Sequence, residues 1–354
     1  MKFKKTKISL LVLVLIISTI GLYLLHPKFG IRFSAERLAR IENSPNYKNG
    51  MFQNLSPSKP KVIKPNKGKI RGFIDFLNRD KTDLMPSGRV EIKKEDLHKI
   101  NKDSNLVVWF GHSSLLVQVD GNRVLVDPVL FNAAPLGFIN KSFDGVNIFK
   151  EEDIPPIDYL IITHSHWDHL DYKAIKKLKS KIQKVICPLG VGEYFERAGY
   201  APDNISELDW SSAAIFSNIT FYCLPAHHYS RRLFKDNQTL WASFMIQTTK
   251  NNIYISGDTG YDIHFKAIAK QFPKINLAII ENGQYNEQWS HIHLMPQDLL
   301  KACKELNANK TITVHHSKYA LSKHPYNEPL KNNEMLKKNG IQLIEPQIGV
   351  AVSY

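Results

Sequence analysis

Apolar residues dominate first a long stretch without charge, Ile8 to Leu25, and then occur as short blocks set between polar turns. The blocks Leu106–Phe110, Ser114–Asp120 and Arg123–Asp127 read as strands, the last two joined through the hairpin signal Asp120-Gly121-Asn122. Further strands are predicted at Asp158–Ile162, Val185–Cys187, Ile219–Cys223, Ser243–Thr248, Ile253–Ser256, Leu277–Ile280 and Thr311–Val314. Helices are predicted over Asp171–Ser180, Gly192–Ala198, Tyr261–Gln271, Pro296–Leu306 and Pro329–Asn339, with Pro at a start and Gly340 at an end fixing boundaries. Strand groups that alternate with helices through both halves imply an α/β protein, an αββα sandwich of two packed sheets with helices outside.

The first run has a different character. Ile8 to Leu25 carries no charge and as a helix would span roughly 27 Å, near the hydrocarbon thickness of a bilayer. Lys2, Lys4, Lys5 and Lys7 precede it, so residues 1–27 are expected to be a cytoplasmic tail and a single-pass membrane anchor, with the catalytic domain on the extracytoplasmic side. Lys28, Arg32, Arg37 and Arg40 on the far side narrow that charge difference. A cleaved signal peptide would have a shorter apolar core, and no Ala-x-Ala follows. Residues 28–89, interrupted by Pro45, Pro57, Pro60, Pro65 and Pro86, read as an extended segment packed on the body. Within it, the patch Phe73–Leu77 is suited to packing on the core or touching lipid, and the basic run Lys59–Arg71 to facing solvent or anionic headgroups. The body is expected over residues 90–354.

A formal charge of +14 adds a preference for anionic partners, either a membrane surface or nucleic acid. Cys187, Cys223 and Cys303 are scattered in apolar contexts, which excludes a disulfide framework and a Cys-rich zinc ribbon.

The chemistry is concentrated between a predicted strand and a predicted helix, in Thr163-His164-Ser165-His166-Trp167-Asp168-His169-Leu170-Asp171. Three imidazoles and a carboxylate in so short a loop suit zinc. The spacing separates them: His164 and His166 can share one face while Asp168 and His169 turn toward a second position, so two ions become feasible. The remaining donors should lie at other strand ends, where His227-His228, Asp258 among glycines and His315-His316 each follow an apolar block. Residue types alone do not choose within either histidine pair. Asp127 closes another strand; its position implies turn formation, and it is the metallo-β-lactamase fold, which the histidine loop resembles, that implies a support for that loop there. There is no Gly-x-Ser-x-Gly elbow and no phosphate-cradling glycine loop.

The His-x-His-x-Asp-His loop resembles the signature of the metallo-β-lactamase fold. Joined to Trp109–Ser114, Val126-Asp127-Pro128, Pro225–His228, Gly257–Tyr261 and the stretch from Glu281 through Trp289 and His293 to His315, it resembles the phospholipases D that hydrolyse N-acylphosphatidylethanolamine and their bacterial relatives, over Glu42 to Gly349. That resemblance implies His164, His166 and His228 on one Zn2+, Asp168, His169 and His315 on the other, and Asp258 bridging them. The family has Gln where this chain has His227 and a non-ligand where it has His316. His293 matches a pocket histidine suited to orienting a phosphate or leaving group, so Asp168, Asp258 and His293 are the expected catalytic residues. The implied activity is a membrane-anchored phosphodiesterase in which hydroxide held by both ions attacks phosphorus. A lactone or small phosphorylated metabolite on the same site is the alternative. A nuclease is permitted by the charge but disfavoured by the expected anchor, and a non-catalytic metal- or lipid-binding protein is the reading from another class. Expected partners are phospholipid and the membrane surface, and a homodimer is allowed.

Overall fold

The computed structural model describes residues 2–57, 71, 78–80, 82–233 and 235–354, with side chains from residue 12 onward. The strands β1 (Leu106–Trp109), β2 (Leu115–Val119), β3 (Asn122–Val126), β4 (Ile157–Ile161), β5 (Ile182–Pro188), β6 (Ile205–Leu208), β7 (Ser212–Ile215), β8 (Ile219–Leu224), β9 (Ser243–Thr248), β10 (Asn252–Ile255), β11 (Leu277–Glu281), β12 (Lys310–Val314), β13 (Leu343–Ile344) and β14 (Ala351–Ser353) make two sheets. Each sheet has seven strands, in the orders β14-β1-β2-β3-β4-β5-β6 and β13-β12-β11-β10-β9-β8-β7. Each is antiparallel over part of its width and parallel over the rest, with β3 to β6 and β10 to β13 forming the parallel runs.

The nearly all-apolar strands follow from burial on both faces. In β1, Val107 and Trp109 point between the sheets, where they join Val117, Val126 and Ile161 from their own sheet and Phe221, Phe244, Ile255 and Ile279 from the other. Leu106 and Val108 point the opposite way, into a layer that includes Ile175, Leu178, Tyr194 and Phe195. On the far side of the second sheet, Met245, Tyr254 and Ala278 meet Phe265, Leu299, Ala302 and Leu336. The helices supplying those outer layers are α3 (Tyr172–Leu178), α4 (Gly192–Arg197), α5 (His264–Gln271), α6 (Pro296–Leu306) and α7 (Glu328–Lys338), preceded in the chain by α1 (Lys2–Leu24) and α2 (Ala35–Glu42). The result is the αββα sandwich of the metallo-β-lactamase fold. Asp171 fixes the start of α3, its carboxylate accepting from the amides of Lys173 and Ala174 at 3.0 and 3.2 Å.

The structure departs from the sequence reading in its account of the N-terminus and at the sheet edges. A helix does run over Lys2–Leu24, but among the described residues no helix is long and apolar enough to cross a membrane. The single-pass anchor, and the sidedness drawn from it, are therefore not supported. Within residues 28–89 the chain forms α2 and a short hairpin pairing Tyr47–Lys48 with Met51–Phe52, and Ile41 and Phe52 enter the central core. The patch Phe73–Leu77 and residues 59–70 of the basic run lie outside the described residues. Finally, β6, β7, β13 and β14 escaped the sequence reading. All four are sheet edges, short or part-polar, where one side of the strand lacks the neighbour that imposes a strong apolar pattern.

Candidate metal centre

Within each sheet the strands that end in donors share one direction: β1, β3 and β4 in the first, β8, β10, β11 and β12 in the second. The chain leaves them through His112, Asp127, His164–His169, His228, Asp258, Glu281 and His315. Strand ends from both sheets therefore meet at one rim.

There the donors form two groups, in each of which one ligand atom per residue lies within 4.8 Å of the others. The first holds His164, His166, His228 and Asp258. His166 Nδ1 lies 2.9 Å from His164 Nε2 and 3.3 Å from His228 Nε2, and those two Nε2 atoms are each 3.7 Å from Asp258 Oδ2. The second holds His112, Asp168, His169 and His315. Asp168 Oδ2 is 2.8 Å from His112 Nε2, 3.5 Å from His169 Nε2 and 3.6 Å from His315 Nε2. The other oxygen of Asp258, Oδ1, faces this group at 3.2 Å from His169 Nε2. A third, overlapping group joins Asp258 and His315 to Glu281 and His293.

The histidine doublets each contribute one member. His228 enters the first group, whereas His227 turns to Asp262, its Nδ1 2.9 Å from a carboxylate oxygen. His315 enters the second group, whereas His316 packs on Trp109 and bonds Ser317 Oγ at 2.7 Å.

A family model described as the β-lactamase superfamily domain matches residues 122–316. The chain is 30% identical to an N-acyl-phosphatidylethanolamine-hydrolyzing phospholipase D of Caenorhabditis elegans, over 66% of this chain and 69% of the nematode protein. It is also 30% identical to an uncharacterized protein of Mycobacterium tuberculosis, over 82% of this chain and 79% of that one. Among solved structures, a metallo hydrolase of the archaeon Ignicoccus hospitalis superposes with a TM-score of 0.55 at 19% identity, covering 70% of this chain and 97% of its own.

The chain belongs to the metallo-β-lactamase superfamily. It is a hydrolase of that superfamily, and its donor set fits metal. On the side of the second group, His169 Nε2, His315 Nε2 and Asp258 Oδ1 are buried with no hydrogen-bond partner, a costly arrangement unless a cation completes it. The close convergence of three ring nitrogens in the first group is likewise what a shared cation requires.

The two halves of this metallo-β-lactamase centre differ electrically. Burial pushes His164 and His228 well below the ordinary imidazole range and His166 down to about 4, so the first group presents neutral nitrogen lone pairs. Burial also opposes charge on His169 and His315, but Asp258 with Asp168 and other carboxylates outweighs it, holding His169 well up and His315 up to about 9. Burial alone would raise Asp168 and Asp258, yet the neighbouring histidines, His169 foremost, keep both carboxyls well below their usual range. A cation entering the second group must displace protons from it.

Side chains behind the donors fix their orientation. Asp127 Oδ2 is 2.7 Å from His169 Nδ1 and also accepts from Thr163 Oγ1 at 2.6 Å, while His228 Nδ1 faces the carbonyl of Ile292 at 2.8 Å. Arg232, buried, donates to the carbonyls of Ser165, Leu170, His166 and Lys28, so that the loop wraps its backbone around the guanidinium and directs its donors outward. His293 lines a cavity of about 170 Å³ with His166, Asp168, Asp258 and His315, and Trp167, Tyr229, Arg231 and Trp289 form other walls. Sequence reasoning left out His112, Glu281 and Arg232. For Glu281 a signal existed, an acid closing the otherwise apolar strand Leu277–Glu281.

Proposed function

We propose that this hydrolase is a dinuclear zinc phosphodiesterase of phospholipase D type, cleaving N-acylphosphatidylethanolamine-like phospholipids to phosphatidic acid and an N-acylethanolamine. The observation that carries the reading is one buried carboxylate, Asp258, turned toward both donor groups with a different oxygen for each, beside a cavity that opens onto them. Five histidines and two aspartates make a donor set suited to Zn2+. Two such ions, when bound, supply Lewis-acid polarisation of a phosphoryl group and lower the pKa of water.

The protein's own groups do the rest. Asp168 and Asp258 bring negative charge that holds the site together without a side-chain nucleophile, and all three cysteines are buried away from such a role. Arg231, on the cavity wall, is paired with Asp236 and offers an anchoring cation for an anionic group. His293 is turned to the cavity and is placed to meet the phosphate or its leaving group. The substrate class rests on the nematode enzyme and on a Saccharomyces cerevisiae relative bearing the same activity in its name, 32% identical over 66% of this chain.

The small cavity favours a second reading, since it is below the usual range of roughly 300 to 1,000 Å³ for drug-sized ligands. It accommodates a headgroup diester with acyl chains lying outside, and equally a lactone or small phosphorylated metabolite. The zinc-loaded protein should release N-acylethanolamine from vesicles of N-acylphosphatidylethanolamine, detected by mass spectrometry, with little turnover of lactones assayed in parallel. Faster lactone hydrolysis, with no ethanolamide released, would replace the first reading with the second.

A further inference from the structure

The chain beyond β8 is held from a distant part of the sequence. The backbone of His227 is fixed twice by its neighbours, its amide donating to Thr259 Oγ1 at 2.9 Å and its carbonyl accepting from the amide of Gly260 at 2.8 Å. For His228 one side chain meets both peptide groups. Asn54, 174 residues earlier, donates from Nδ2 to the His228 carbonyl at 2.9 Å and accepts from the His228 amide at Oδ1 at 3.1 Å. Its Oδ1 also accepts from Nε1 of the buried Trp241 at 3.0 Å, and the same indole N–H reaches the carbonyl of Ala226 at 3.0 Å. A carboxamide presents a donor and an acceptor side by side, as a peptide group does, so for one residue it stands in for a partner strand. Two positions on, Ser56 Oγ donates to Asp262 Oδ1 at 3.0 Å, and the other oxygen of that carboxylate meets His227 Nδ1. Asn54 thus grips the member of the doublet that enters the first donor group, and Ser56 touches only the partner of the member that does not.

The stretch is well anchored for such a task. It follows the hairpin that pairs Tyr47 with Phe52, and Phe52 lies in the central core. Upstream of the hairpin, Arg37 is only 3% exposed and pairs with Glu193 at 2.6 Å and with Glu207 at 2.7 Å. We propose that Asn54 is a positioning residue for the first metal position, a proposal that rests on the two-metal reading above and is independent of the substrate. The contact of His228 Nδ1 with the Ile292 carbonyl sets the turn of the ring, but where Nε2 ends also depends on the backbone that carries the Cβ. By holding the N–H and C=O on either side of the His228 Cα, Asn54 fixes that backbone, and a segment outside both sheets thereby becomes part of the metal centre.

Asn54→Leu keeps the size of the side chain and removes both hydrogen bonds, while Asn54→Ala, carried alongside, keeps the test from hanging on one variant folding. The zinc affinity of each equivalent would be read by competition with a chelator on the full-length wild type, both Asn54 variants, Ser56→Ala, and His228→Gln with and without Asn54→Leu. Thermal unfolding checks that each protein is folded. In both Asn54 variants one equivalent should bind roughly 10- to 100-fold more weakly and the other as in wild type. Ser56→Ala should change neither by more than about threefold. In the His228→Gln protein, which keeps only the second position, adding Asn54→Leu should change the remaining equivalent by less than about threefold, because the residue through which Asn54 acts is gone. Two wild-type affinities in a folded Asn54→Leu protein would overturn the proposal. So would an undiminished loss in the His228→Gln background, an equal loss in Ser56→Ala, or failure of both Asn54 variants to fold, each of which would make the segment a general support of the fold. If wild type takes up fewer than two equivalents, the two-metal reading has itself failed and the proposal with it.

Discussion

Two strand ends deliver a histidine doublet to the same rim, and they select opposite members. After β8 the chain continues through Pro225 and Ala226 and makes an isolated bridge from His227 to Gly260; His227 faces Asp262, and the next residue, His228, faces the first donor group. After β12 there is no such run. His315 follows the strand directly with φ of 70°, Ser317 repeats the reversal at 62°, and His316 bridges to His112, so the first member enters the second group. Which imidazole becomes a donor is therefore set by the backbone path out of the strand, and two adjacent histidines carry no record of it in their side chains. The same two groups differ in charge, neutral nitrogens in the first and a carboxylate-rich network in the second.

The most damaging change should be Asp258→Asn, because among the described residues Asp258 turns one carboxylate oxygen to each group. Metal analysis of the purified variant is expected to show loss at both positions, with activity falling further than the roughly 100-fold ceiling of an outer-layer change. The contrast between doublets is probed next: His228→Gln and His315→Gln should each cost about one equivalent of metal and most of the activity, whereas His227→Gln and His316→Gln should change metal content little and activity less than about tenfold. Metal titration of the four variants checks this, and loss of metal from the His227 or His316 variant would invert the selection. Asp127→Asn, behind His169 only, should weaken the second position by roughly 10- to 100-fold and leave the first unchanged, as read by competitive chelation.

The smallest effect concerns the turn after β12. Lys318 is buried, donates to the carbonyls of Phe110 and Val129, and is held by burial down to about 7. An unfolded lysine stays protonated to roughly pH 10.4, so between these values the unfolded chain binds more protons and stability rises with pH, levelling off below about 7 and above about 10.4. Lys318→Met should flatten that slope in thermal unfolding followed across pH 7 to 10, a window set by the same value. An unchanged slope would assign it elsewhere.

Much of this was legible in the sequence because local chemistry and local pattern coincide. The strand Ser243–Thr248 and the helix Pro296–Leu306 have the predicted limits, since a short continuous apolar block and a proline at the helix start act within the segment itself. The loop from His164 to His169 declared itself because four donors fall within six residues, and Asp258 because glycines lie on both sides of it. Edge strands such as Ile205–Leu208 were hidden by weak pattern and Arg232 by isolation, while His112 and Glu281 stand inside stretches that carry the resemblance but, as lone polar residues, give no sign of partners that lie far along the chain. The apolar run Ile8 to Leu25 misled for the converse reason, as uncharged composition is necessary for a spanning helix but does not establish one.

Anomalous diffraction at the zinc edge, from crystals of the zinc-loaded protein, tests the central claim most directly. Two peaks roughly 3.5 to 4 Å apart are expected, flanking Asp258, one bound by His164, His166 and His228 and the other by Asp168, His169 and His315. A single peak, or one bound by His227 or His316, would contradict the account.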